Sequence, residues 1–112
     1  MQFNVEEKGE AVVFRMSGEV IGGPAAAKLS EKLRTYIEEG RKQFLVDMSE
    51  VAWMNSSGLG ILIGSLTTVR NHGGDLKLIC LPKKVKELLR ITKLECVFDI
   101  HEGEDEAIAS FT

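Results

Sequence analysis

The chain predicts an α/β fold: one small domain over residues 1–112, with a largely parallel, mixed β-sheet and about four helices in the order ββαβαβαβα. Three observations carry this reading. Strand-like segments alternate with segments whose apolar residues recur at helical spacing, which implies a mainly parallel sheet with right-handed crossovers. The later strands are almost continuously apolar, as strands covered on both faces are. At 112 residues the chain fits one domain and can bury a core without disulfides or metals.

The elements follow in order. Phe3 to Lys8 and Ala11 to Ser17 flank Gly9-Glu10 and read as a β-hairpin. Gly22-Gly23-Pro24 breaks the chain, and proline suits the first turn of a helix. Ala26, Leu29, Leu33, Tyr36 and Ile37 then recur at helical spacing until Gly40. Gln43 to Met48 reads as a buried strand and Ser57 to His72 as a helix ended by Gly73-Gly74. Leu76 to Leu81 is a short apolar strand. Pro82 opens a helix carrying Val85, Leu88, Leu89 and Ile91. Cys96 to Ile100 is the last strand, and Asp105 to Phe111 a final helical turn or two.

Composition narrows the functional classes. With 44% hydrophobic and 28% charged residues the chain reads as an ordinary globular protein rather than a disordered one. The start, Met1-Gln2-Phe3-Asn4-Val5-Glu6-Glu7, shows no secretory pattern, and no apolar run approaches the ~18 residues needed to span a bilayer. Cytoplasmic residence is the expectation. A net charge of −3 argues against a nucleic-acid partner. Cys80 and Cys96 are too few for a zinc site, and Cys80, inside an apolar run, reads as core packing. No cofactor or metal is expected.

The chemically distinctive stretch runs from Asp47 to Gly60, DMSEVAWMNSSGLG. Two serines stand where an apolar strand gives way to an amphipathic helix. The first amides of a helix lack internal partners, and the helix dipole adds positive potential there. With Ser57 as N-cap and Asn55 as its competitor, Ser56 is left free and reachable. A phosphate on Ser56 would carry about −1.5 to −2 charge over those amides. Ser57, Gly60, Gly64 and Thr67 form a stripe of small side chains down the helix, and its three glycines, Gly58, Gly60 and Gly64, each cost up to ~1 kcal/mol relative to alanine. Close approach by an internal element, or by a partner, would account for them; the internal element is the favoured reading.

A strand ending in Asp47-Met48-Ser49, the Val51-Ala52-Trp53-Met54 turn and Ser56-Ser57-Gly58-Leu59-Gly60 opening a helix together resemble the STAS motif of bacterial anti-sigma factor antagonists. Gly18-Glu19, the entry Gly73-Gly74-Asp75-Leu76-Lys77-Leu78, Val85 to Leu89, Thr92-Lys93-Leu94 and Val97-Phe98 extend the likeness over nearly the whole chain. The resemblance implies phosphorylation of Ser56 by a partner that is both an anti-sigma factor and a serine kinase. It implies binding of that partner in the unphosphorylated form, release of a sigma factor, and a separate phosphatase for reset. The same resemblance allows a STAS-type subunit of a stress-signalling complex or of a lipid-transport assembly. Asn55 stands where the family more often has an acidic residue. Val20-Ile21-Gly22-Gly23 replaces a commoner Leu-Asp segment near the partner surface. The residues expected at the partner face are Asn55, Ser57, Gly58, Gly60, Gly22 and Gly23.

Other candidates read more plainly. Asp47, ending its strand, is expected to order the serine loop through backbone amides rather than to steer a kinase's metal. His72 and His101 lack paired metal-ligand spacing and read as surface residues. Met54 stands where a hydrolase elbow centred on Ser56 would have its first glycine, no base is assignable, and the glycine spacing fits no dinucleotide fingerprint. The chain therefore reads as a binding module rather than an enzyme. Lys83, Lys86, Arg90 and Lys93 read as a solvated face, and Trp53 as core in preference to an exposed anchor.

Overall fold

A computed structural model describes residues 1–111. Its strands are β1 (Gln2–Lys8), β2 (Ala11–Val20), β3 (Gln43–Met54), β4 (Asp75–Ile79) and β5 (Asp99–His101). Its helices are α1 (Pro24–Glu38), α2 (Ser56–Asn71), α3 (Lys83–Ile91) and α4 (Glu104–Ala109). The expected order is reproduced. The five strands lie side by side in chain order, β1 antiparallel to β2 and every later pair parallel.

That order dictates where the helices go. Crossovers of one hand, stepping one way across a sheet, deliver α1, α2 and α3 to the same face. Leu29 and Leu33 of α1, Leu59, Leu62, Leu66 and Val69 of α2, and Val85 and Leu89 of α3 are buried there. They pack against Val12, Phe14, Met16, Phe44, Val46, Met48, Leu76 and Leu78 of the sheet. Each such side chain, fully buried, is worth about 1.5–3 kcal/mol. The opposite face carries a smaller cluster in which Ala107 of α4 covers Val13, Leu45 and Ile79.

Several expectations are corrected. β3 does not stop at Met48 but runs to Met54, because β2 itself continues to Val20 and supplies a partner, with register shifts at Arg15/Ser17 and Gly18/Glu19. Trp53 is not core: it lies on this extension with 43% of its surface exposed. Ile91 is likewise out in solvent at 65%. β4 ends at Ile79, so Cys80 lies beyond the strand, half-buried at a φ of 55°, with its Sγ 3.3 Å from the Glu102 carbonyl oxygen. β5 begins only at Asp99; Phe98 is buried, but from a turn.

Candidate functional site

Asn55 at the end of β3 sets the serine turn. Its extended backbone and its Oδ1, which accepts from the Gly58 amide at 3.0 Å, make it the N-cap of α2. Ser57 is therefore not the cap; it is the second residue of the helix and Ser56 the first. An amide side chain has both the reach and the acceptor to win that competition, and its victory leaves both serines free. Both are exposed, and among the described residues neither hydroxyl makes a hydrogen bond. The first turn of α2 has no acidic residue. The Ser56 and Ser57 amides have no place in the helix's own ladder.

β2 holds this turn from below. The Asn55 amide donates to the Val20 carbonyl at 3.4 Å. A Cβ placed on Gly58 would sit 1.9 Å from the same oxygen, so only glycine lets the first turn close on the strand. Gly22, at a φ of 97°, lies against Ser57: a Cβ there would be 3.7 Å from that of Ser57. Gly23, at a φ of 95°, precedes Pro24 as the cap of α1. Asn55, Ser56, Ser57, Gly58 and Gly22 thus share one end of the sheet. Gly60 and Gly64 face open space instead, beside a groove of about 230 Å³ lined by Ser30, Arg34, Ile61 and Thr68. The expected close approach by an internal element is thus made by β2 at Gly58, whereas among the described residues nothing lies within 4 Å of where a Cβ on Gly60 or Gly64 would stand.

Asp47 belongs elsewhere. Alternation along β3 turns it away from α2, where its Oδ2 accepts from Arg15 at 2.8 Å and its Oδ1 from the Ser49 amide at 3.0 Å. Burial alone would push its carboxyl up, but the Ser49 amide and the Arg15 guanidinium outweigh that and hold it below its ordinary value. Arg15 also reaches Glu104, at the start of α4, at 2.9 Å. Asp47 therefore braces the rear of the sheet and makes no bond to the serine turn.

A second polar cluster escaped the sequence reading. Buried Lys77 donates to Asp99 at 2.7 Å and to Ser110 Oγ at 2.6 Å, with the Phe111 ring 4.6 Å from its ammonium. Lys77 holds the Asp99 carboxyl below its ordinary range. His101 is half-buried here, its Nε2 3.2 Å from Asp99 and 3.4 Å from Ser110 Oγ. One nitrogen cannot both take a serine proton and donate to the orienting carboxylate, so this is no catalytic triad. His72 caps α2, its Nδ1 2.8 Å from the Thr68 carbonyl. On α3, Lys86 pairs with Glu102 and Arg90 with Glu87, as a solvated face does. Among the described residues no cluster of His, Cys, Asp or Glu could hold a metal, and no helix is long and apolar enough to cross a membrane.

The sheet order, with three helices on one face and an exposed serine at the mouth of α2, defines the class of small α/β domain to which the chain belongs. Residues 2–107 match the STAS domain, and the chain belongs to that family. It is 33% identical over 102 residues to the anti-sigma-B factor antagonist of Bacillus subtilis, covering 89% of this chain and 92% of that one. The fold matches SpoIIAA, an anti-sigma factor antagonist, in its unphosphorylated form with a TM-score of 0.80 at 24% identity, over 97% of this chain and 95% of that one. The phosphorylated form of the Bacillus protein SpoIIAA matches with a TM-score of 0.75 at 23% identity, over 99% of this chain and all of that one.

Proposed function

We propose that this protein is an anti-sigma factor antagonist switched by phosphorylation of Ser56. Unphosphorylated, it binds an anti-sigma factor with serine kinase activity and so frees a sigma factor. The kinase places a phosphate on Ser56, the complex separates, and a phosphatase restores the hydroxyl. It works in the cytoplasm, as a binding module and not as an enzyme. Asn55, Ser57, Gly58, Gly60, Gly22 and Gly23 lie on or support the face that meets the partner; Asp47 supports the sheet behind it.

One observation carries the reading: Ser56 is exposed at the first position of α2 while a different residue, Asn55, does the capping. A dianion there meets free amides and the positive end of a helix, an interaction worth ~0.3–1 kcal/mol in the domain's favour. Buried in an interface without a cation, it meets a desolvation cost of several kcal/mol. The same group is thus tolerated by the fold and expelled by the complex. The relatives named as anti-sigma-B factor antagonists support the partner class.

The test is phosphorylation of the purified chain by its cognate anti-sigma kinase with ATP, followed by phosphopeptide mapping. Label is expected on Ser56 and absent from Ser56→Ala. Full labelling of Ser56→Ala would remove the assignment.

A further inference from the structure

The helix on the rear face is attached to the sheet differently from the other three. α1, α2 and α3 each run between two strands and bury two or more large side chains. Within residues 1–111, α4 is joined to one strand only, the three-residue edge strand β5. Its one fully buried residue is Ala107, a single methyl group, while Ile108 and Phe111 are only partly buried. This thin contact nevertheless covers Val13, Leu45 and Ile79, all three without solvent exposure on the central strands. A six-residue helix is too short to persist on its own in water. Apolar contact is therefore not the main hold on α4.

Charge supplies the hold at both ends. Glu104, in the first turn, accepts from Lys8 of β1 and from Arg15 of β2, the latter at 2.9 Å. Burial alone would push the Glu104 carboxyl up, but these two cations outweigh it and keep it below its ordinary value. At the far end Lys77 of β4, itself buried, donates to Ser110 Oγ at 2.6 Å and lies 4.6 Å from the Phe111 ring. Each of these cations also has an anion that stays with the sheet. Lys8 has Glu6 at 3.6 Å, Arg15 has Asp47 at 2.8 Å and Lys77 has Asp99 at 2.7 Å. Lifting α4 therefore strands no buried positive charge, which removes the usual obstacle to breaking such contacts.

We infer that α4 is an ionic latch that opens about Gly103 on a sheet that stays folded, baring Val13, Leu45 and Ile79 on the face away from α2. Ionic strength sets how often it opens. The Lys8 and Arg15 side chains are 41% and 30% exposed, so added salt reaches their pairs with Glu104 and screens them. The inference stands apart from the role of Ser56, which lies on α2 at the other face. Cys80 provides a native probe, because it packs half-buried against the same cluster that α4 covers.

Native-state hydrogen exchange on the full chain tests the latch. The amides of Ala107, Ser110 and Phe111, bonded within α4 and its flanking turns, are compared with those of Leu45 and Leu78 in the central strands. The α4 amides are expected to be about a hundredfold less protected, and to show little urea dependence because little surface opens. Raising NaCl from about 0.05 to about 0.5 M should speed them about threefold, and Glu104→Gln or Ser110→Ala about fivefold, with Leu45 and Leu78 moving less. In a Cys96→Ser background, alkylation of Cys80 by iodoacetamide should rise in step. Lys8→Gln, at a more exposed position, repeats the test if Glu104→Gln does not fold. Equal protection and equal urea slopes for α4 and the central strands would overturn the separate opening. Fast α4 exchange that ignores both salt and the charge variants would overturn the ionic hold.

Discussion

The first turn of α2 touches the end of β2 through bare backbone: a methyl group on Gly58 would lie 1.9 Å from the Val20 carbonyl oxygen. Helix propensity alone would favour Gly58→Ala by about 1 kcal/mol. The collision reverses that sign, since neither backbone can yield without pulling the turn off the sheet. Gly58→Ala is expected to lose about 1–3 kcal/mol of stability, the usual range for overpacking, by urea unfolding. A stabilised variant would show that the close approach is not real.

Gly60 and Gly64 give the opposite expectation. Both sit in α2 with open space where a side chain would stand. Gly60→Ala and Gly64→Ala should each raise stability by ~0.5–1 kcal/mol. If the partner packs closely along this stripe, Gly60→Ala weakens binding while the domain becomes more stable, a combination that calorimetry and denaturation measure on one sample.

Ser56→Asp mimics part of the phosphate's charge. The melting temperature is expected to move little, because the change in fold stability is of order 1 kcal/mol or less. Affinity for the anti-sigma partner is expected to fall by a hundredfold or more, equivalent to about 3 kcal/mol. A collapse in stability would mark Ser56 as structural.

Asn55→Ala tests the assignment of the cap. Loss of the bond to the Gly58 amide should cost ~1 kcal/mol, whereas Ser57→Ala should cost only a few tenths. Equal losses would return Ser57 to the capping role.

Acid should weaken the domain through Asp47. Its carboxyl is held below its ordinary value of 3.8, so the folded state binds the proton less readily than the unfolded one. Its contribution is present in full above the unfolded value and disappears as pH falls through the lower, folded one. Asp47→Asn is expected to destabilise the domain by ~1–3 kcal/mol at pH 7 and to flatten the acid limb of a stability curve below about pH 4. An unchanged acid limb would show that Arg15 and Ser49 do not hold the charge.

Element order and the serine turn were legible in the sequence because periodicity and glycine placement are local signals. What stayed hidden depended on distant partners. Ser49 to Trp53 lacks the apolar density of a central strand, yet it is one because β2 runs on past Ser17 beside it. Trp53 looks like core by residue type and is exposed because, next to buried Met54 on the extension of β3, it faces the side of the sheet away from the helices. The choice between Asn55 and Ser57 as cap turned on one backbone conformation, which spacing cannot supply. Lys77 sat in an apolar run without a hint that Asp99 and Ser110 would meet it.

The capping by Asn55 has a practical corollary. The position that would carry the message and the position that starts the helix are different residues, so one can be rewritten while the other keeps the architecture standing. With the two free thiols, Cys80 and Cys96, first replaced, Ser56→Cys would thus accept a thiol-reactive dye or a bulky adduct on an intact scaffold, turning the molecule into a reporter of its own docking.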